Sequence, residues 1–240
     1  GALLPGAAEA IAGLEAAGIA HRFLTNTTSK PLRAILAQLE GFGLSVEPEH
    51  VFTPAQAAVA WLAEGGFAPH LLVHPDLEED FAACRRDGPR AVVVGDAREQ
   101  FTYVRLNAAF RELIAGAPLV ALAANRVFRD ADGELSMDAG AFVKALEFSS
   151  EVEALVIGKP APAFFGAAAD SMGLRLSDVA MIGDDAEADV AGALSAGVGM
   201  AVLVCTGKYR AGDEARVSPP PSAVVDGIGD AVAAVLRREA

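Results

Sequence analysis

The run Val179-Ala180-Met181-Ile182-Gly183-Asp184-Asp185-Ala186-Glu187-Ala188-Asp189-Val190 constrains the fold more than any other stretch of this chain. Its apolar start reads as a buried strand that stops at Gly183, and the residues behind it carry a helical pattern. A strand that passes at once into a helix is one step of a βαβ unit. A chain that repeats the step builds a largely parallel sheet. Asp184 and Asp185 stand where the strand stops, and Asp189 lies within the helix that follows. In open sheets of this class, ligands sit beyond the carboxyl ends of the strands. Carboxylates crowded there repel one another unless a cation is near. With no basic residue in the run, they suit a hard cation such as Mg2+, which takes oxygen ligands and bridges to phosphate. The competing reading is helix capping by Asp184 or Asp185, with Asp189 on a solvated face.

The same alternation recurs along the chain. Helices are expected over 6–17, from about 30 to 40, 55–64, 76–87, 98–115, 139–148, 163–172, 186–196 and 228–238. Strands are expected at 19–24, 70–74, 91–94, 119–123, 154–158, 179–183 and 200–205. Residues 54–150 have their own βα alternation but lack the best phosphate-chemistry signals, which fall on either side. That arrangement predicts a core domain from residues 1–53 and 151–240, with 54–150 inserted as a second α/β domain.

Two further signals follow strands. Thr25-Asn26 pairs a strand-end hydroxyl with free amides ahead of a helix start, which suits a phosphate oxygen; the alternative is a plain loop with a helix cap. Lys159, stiffened by Pro160, could neutralise a phosphate and a nearby carboxylate; the alternative is an exposed loop lysine. The three signals in this order are more specific than any one. Gly158-Lys159-Pro160 lacks the spaced glycines of a P-loop, and the order is wrong for a receiver domain.

The combination resembles the haloacid dehalogenase (HAD) superfamily of phosphatases over nearly the whole chain. Thr25-Asn26 is similar to its second motif, Lys159 to its third, and Gly183-Asp184-Asp185 with Asp189 to its fourth. Leu4-Pro5-Gly6-Ala7, Thr206-Gly207-Lys208-Tyr209 and Val93-Val94-Gly95-Asp96 narrow the likeness. They resemble the NagD-like and p-nitrophenyl phosphatase-like subgroup, and within it the branch of phospholysine phosphohistidine inorganic pyrophosphate phosphatases and hydrolase-domain-containing relatives. The resemblance implies a Rossmann-like α/β core with a parallel sheet, an inserted α/β cap, and Mg2+-dependent hydrolysis of a small phosphorylated substrate through an aspartyl-phosphate. It assigns Thr25, Asn26 and Lys159 to the phosphoryl group and Asp184 to the metal. Asp185 or Asp189 would orient metal-bound water or the lysine. The loop Asn125 to Asp138, with Arg126, Arg129, Asp130 and Asp132, is the candidate for substrate selection, or else a solvated hairpin turn.

One departure stands out. The family's first motif, a strand ending in Asp-x-Asp, supplies the nucleophile just before the Leu-Pro-Gly stretch. This chain opens with Gly1-Ala2-Leu3-Leu4-Pro5-Gly6, and no Asp-x-Asp follows an early strand. The expectation is a truncated enzyme that lacks its first core strand and is inactive as given. The alternative is a catalytically inactive relative that binds metal or phosphate, or dimerises.

Composition excludes other classes. The net charge is −13 over 240 residues, and no basic stripe appears, so nucleic acid and anionic membranes are not expected partners. No apolar run reaches the length of a membrane span. Cys84 and Cys205 form no CxxC pair, so neither a disulfide framework nor a zinc site is expected. A cytoplasmic location and a homodimer through the cap complete the expectations.

Overall fold

The computed structural model describes residues 3–129 and 134–239. In chain order it contains helix α1 (Ala7–Ala16), strand β1 (Phe23–Leu24), α2 (Leu32–Gly41), β2 (Val51–Phe52), α3 (Pro54–Gly65), β3 (Ala68–Leu72), β4 (Arg90–Val94) and α4 (Tyr103–Ile114). There follow β5 (Leu119–Ala121), β6 (Val127–Arg129), β7 (Leu135–Met137), α5 (Ala139–Ser150), β8 (Ala154–Val156), α6 (Pro162–Asp170), β9 (Ala180–Gly183), α7 (Gly192–Ala196), β10 (Met200–Val204), β11 (Ala223–Val225) and α8 (Ile228–Glu239). The α/β class with parallel strands is as expected.

The chain divides into two compact units. The first comprises Gly1–Phe23, Ala37–His50 and Lys159–Ala240, and the second Leu24–Leu36 and Val51–Gly158. The chain last passes from the second unit to the first between Gly158 and Lys159. Strand β8, which leads to this crossing, pairs with β5.

In the second unit, β3, β4, β5 and β8 form a four-stranded sheet, parallel at each pairing. Both faces are covered. Ala91, Val93, Val120 and Leu122 pack with Leu62, Val73 and Leu77 on one side. Val92, Val94, Leu119 and Ala121 pack with Ala109, Leu113, Val143 and Leu146 on the other. A strand buried on both faces needs apolar residues at every position, which is why Ala91–Val94 reads as a continuous run rather than an alternation. Helix α3 is fixed at both ends. Thr53 and Gln56 form a reciprocal capping box, Pro54 occupies the first turn, and Gly66 closes the helix at φ 66°. Strands β6 and β7 form a separate antiparallel pair.

In the first unit the order is β11-β10-β9, again parallel. Ala201 and Leu203 of β10 pack with Ala186 and Val190, and Val202 and Val204 with Ala231 of α8. Among the described residues β9 has one strand neighbour, β10.

Several elements differ from expectation; the strand expected at 19–24 is reduced to Phe23–Leu24, and three others change more. Residues 76–87 were expected as a helix, but the structure has only a tight 3-10 stretch at Pro75–Phe81. Its carboxylates serve other partners: Asp80 accepts from the Leu32 amide at 3.1 Å, and Glu79 pairs with Arg33 at 3.1 Å. The helix expected from 98 starts at Tyr103, because Thr102 caps it and Arg98 sits at φ 48°, outside helical space. The helix expected over 186–196 is wound wide as a π-helix over Ala186–Ala191 before α7 begins. Among the described residues no helix is long and apolar enough to cross a membrane.

Candidate active site

The first unit gathers five charged groups at the end of β9: Lys159, Asp184, Asp185, Asp189 and Lys208. Gly183 closes the strand, and a Cβ there would overlap the Asp189 carboxylate. Only glycine leaves Asp189 room to lie against the strand end. The π-helical turn puts it there: the Asp185 carbonyl accepts from both the Asp189 amide at 2.9 Å and the Val190 amide at 3.3 Å. One extra residue per turn is the mark of such bulges, which recur at functional sites. The Asp185 side chain caps the turn by accepting from the Ala188 amide at 2.9 Å.

Asp189 is committed to two donors. Its Oδ1 accepts from Lys159 Nζ at 2.6 Å and its Oδ2 from the Asp185 amide at 3.2 Å. Lys159 is 8% exposed and Asp189 5%, so this ion pair is held away from water and fixed rather than dangling. A buried pair of this kind is sustained only by good geometry and further hydrogen bonds. Pro160, whose peptide bond to Lys159 is cis, packs where a Gly192 Cβ would stand, so Gly192 admits the Lys-Pro segment to its place beside Asp189. Lys159 is thus a buried partner of a carboxylate, not an exposed loop lysine.

Asp184 and Asp185 meet the loop after β10. The Lys208 amide donates to Asp184 Oδ2 at 2.8 Å, and Lys208 Nζ reaches Asp185 Oδ2 at 3.2 Å. Gly207 lies at φ 57°, and a Cβ there would overlap Asp184 Oδ2. Burial pushes the Asp185 carboxyl upward, but the Ala188 amide and the Lys208 ammonium outweigh it and hold the group below the usual carboxylate value. Asp185 therefore caps the turn, as the capping reading expects, and its charge is paired with Lys208.

Thr25 and Asn26 belong to the second unit. The Thr25 amide donates to the Phe52 carbonyl at 3.1 Å. Its hydroxyl donates to Thr27 Oγ1 at 2.9 Å and accepts from the Thr27 amide at 3.0 Å, a local turn that fixes the loop. Asn26 Oδ1 lies 2.9 Å from the point a Gly158 Cβ would occupy. Thr28 is buried and accepts from the Asp96 amide at 3.0 Å.

The residues expected to select substrate lie at the β6–β7 pair. The Asn125 carbonyl accepts from the Gly140 amide at 3.0 Å, the Arg126 carbonyl accepts from the Asp138 amide at 3.1 Å, and Arg129 ends β6. Asp130 and Asp132 lie outside the described residues. The Arg98 guanidinium stacks 4.3 Å over Phe128 and pairs with Asp96 at 2.9 Å.

Sequence reasoning missed Lys208 and Gly207 as site residues. The available signal was position: Thr206-Gly207-Lys208 follows a strand, as the other site segments do. Among the described residues no three His, Cys, Asp or Glu side chains are grouped as a metal cluster. Cys84 and Cys205 are free thiols.

The chain matches two family models. Residues 1–86 match one described as a haloacid dehalogenase-like hydrolase, and residues 156–231 one described as HAD-hydrolase-like. It is 38% identical over 238 residues to the phospholysine phosphohistidine inorganic pyrophosphate phosphatase of Xenopus laevis, covering 98% of this chain and 87% of that protein. It is 39% identical over 236 residues to the human haloacid dehalogenase-like hydrolase domain-containing protein 2, covering 98% and 90%. Among solved structures, the 4-nitrophenylphosphatase of Thermotoga maritima is 28% identical with a TM-score of 0.87, covering 97% of this chain and 91% of that one. NagD of Escherichia coli K-12 shares the fold, with a TM-score of 0.84 at 22% identity over 95% and 91%. The chain belongs to the haloacid dehalogenase-like hydrolases, among the phosphatases of that family.

Proposed function

We propose that the protein hydrolyses small phosphorylated molecules with the help of Mg2+, through an aspartyl-phosphate intermediate. The observation that carries this reading is the buried Lys159–Asp189 pair, 2.6 Å apart, on the same strand end as Asp184 and Asp185. A lysine fixed in this way supplies one positive charge at a set place, which stabilises charge developing on a phosphoryl group without reorganisation. Asp189 is a positioning residue for that lysine.

The donor set fits magnesium in kind. Asp184 and Asp185 offer adjacent carboxylate oxygens, the ligand type a hard divalent cation prefers, and Mg2+ keeps several waters or substrate oxygens in its shell. Asp184 and Asp185 would hold it. Bound there, the cation would neutralise phosphoryl oxygens as charge builds on them. Thr25 would present its hydroxyl, and Asn26 its amide, to a phosphoryl oxygen. Residues 54–150 would serve as the cap, and the segment with Asn125, Arg126 and Arg129 would select the leaving group.

The names of the relatives suggest the bond type. One group is named for phospholysine, phosphohistidine and inorganic pyrophosphate, another for 4-nitrophenyl phosphate. The test is phosphate release from p-nitrophenyl phosphate, pyrophosphate and a phosphoramidate, using the protein extended upstream in its reading frame. Mg2+-dependent release that EDTA abolishes is expected. A folded extended protein that hydrolyses none of these would overturn the reading in favour of an inactive binding relative.

A further inference from the structure

Lys208 makes two contacts of different kinds with the acidic pair. Its amide holds Asp184 at 2.8 Å, and its ammonium holds Asp185 at 3.2 Å. The backbone contact is built in. Gly207 must sit at φ 57° with no Cβ for the loop to come this close to Asp184. The residues after it are braced: Tyr209 donates to Glu214 at 3.0 Å, the Arg210 amide to Asp213 at 2.8 Å, and Arg216 pairs with Asp213 at 3.1 Å. The side-chain contact is loose by comparison. The Lys208 side chain is 65% exposed against 26% for Asp185, so its four-carbon stem can swing into water while the backbone stays in place.

Two adjacent carboxylates at one strand end repel one another, and the loop provides a counter-charge. Resting on the metal-dependent reading above, we infer that Lys208 is a resident counter-ion of the Asp184–Asp185 pair, which yields Asp185 when a divalent cation arrives. The two cannot share Asp185 on equal terms, because the ammonium and the cation repel and compete for the same carboxylate. Lys208 therefore lowers the apparent affinity for the cation while keeping the metal-free pair from repelling. The same swing frees a positive charge at the mouth of the site for an anionic substrate.

The test uses Mn2+ as a spectroscopic stand-in for Mg2+, with free ion counted by its electron paramagnetic resonance signal and no substrate present. The wild type is compared with Lys208→Met, Asp184→Asn and, as a charge control at the exposed Arg175–Asp178 pair, Arg175→Met. The inference predicts that Lys208→Met binds Mn2+ roughly two- to tenfold more tightly, the range expected for removing a half-exposed competing pair. It also predicts that Lys208→Met melts at a lower temperature than wild type in EDTA, and that Arg175→Met changes Mn2+ affinity little. Equal or weaker binding by Lys208→Met, with binding lost in Asp184→Asn, would overturn the counter-ion role and leave the metal reading standing. Binding unaffected by Asp184→Asn, or absent throughout, would overturn both.

Discussion

The two sheets use polar groups in opposite ways. In the second unit β4 and β5 are buried on both faces, and Val92, Val93, Val94 and Val120 have no exposure at all. Its ion pairs keep at least one partner in contact with water: Arg33–Glu79 is exposed on both sides, and Arg98–Asp96 joins a buried carboxylate to an arginine that is 33% exposed. In the first unit the shielded ion pair is Lys159–Asp189, at the end of a strand with half-buried residues throughout. The difference separates scaffold from chemistry. Substitutions in the second sheet should read as stability alone, whereas those at the end of β9 should read as stability and turnover together.

The largest effect expected is from Lys159→Met. Leaving Asp189 buried without its partner should cost about 3–5 kcal/mol, measured by urea unfolding. Adding Asp189→Leu should recover much of that cost without restoring turnover, which would sharpen the distinction between the pair's structural and chemical roles. Leu62→Ala, in the fully buried core, should cost about 2–5 kcal/mol yet leave turnover per folded molecule unchanged. A loss of turnover there would break the comparison. Gly207→Ala comes next, at about 1–3 kcal/mol, because it strains a positive φ and crowds Asp184. Thr53→Ala removes the α3 capping box for about 1 kcal/mol, again without an effect on turnover.

The smallest effects are in pH. His70 is held below its ordinary 6.5, mainly by burial, and Asp185 below 3.8 despite it. In both cases the unfolded chain takes up the proton first, so stability is lost on acidification. The His70 contribution is complete above 6.5 and fades as pH falls from there towards its lowered value. The Asp185 contribution is complete above 3.8 and is lost as pH falls through its own lowered value. His70→Phe should flatten the unfolding free energy between pH 7 and 5, and Lys208→Met should blunt its fall below pH 4.

Much of this was legible in the residues. The continuous apolar runs at 91–94 and 200–204 announced buried parallel strands, and the carboxylates at 184, 185 and 189 announced a charged strand end. What was hidden depends on contacts distant in sequence. The Ala186–Ala191 segment has an ordinary helical pattern, and only the double use of the Asp185 carbonyl shows the wider turn. Lys208 reads as a surface lysine until the loop is seen folded back on residues 24 positions earlier. That β8 joins β5 was also hidden, because an apolar run of three residues does not specify which sheet will receive it.

The most direct test of the central claim is hydrolysis of p-nitrophenyl phosphate with Mg2+, run side by side on residues 1–240 and on the same protein extended upstream through the first in-frame Asp-x-Asp. The account predicts Mg2+-dependent turnover in the extended protein, abolished there by Asp184→Asn. A folded extended protein without turnover, or one indifferent to Asp184→Asn, would contradict it.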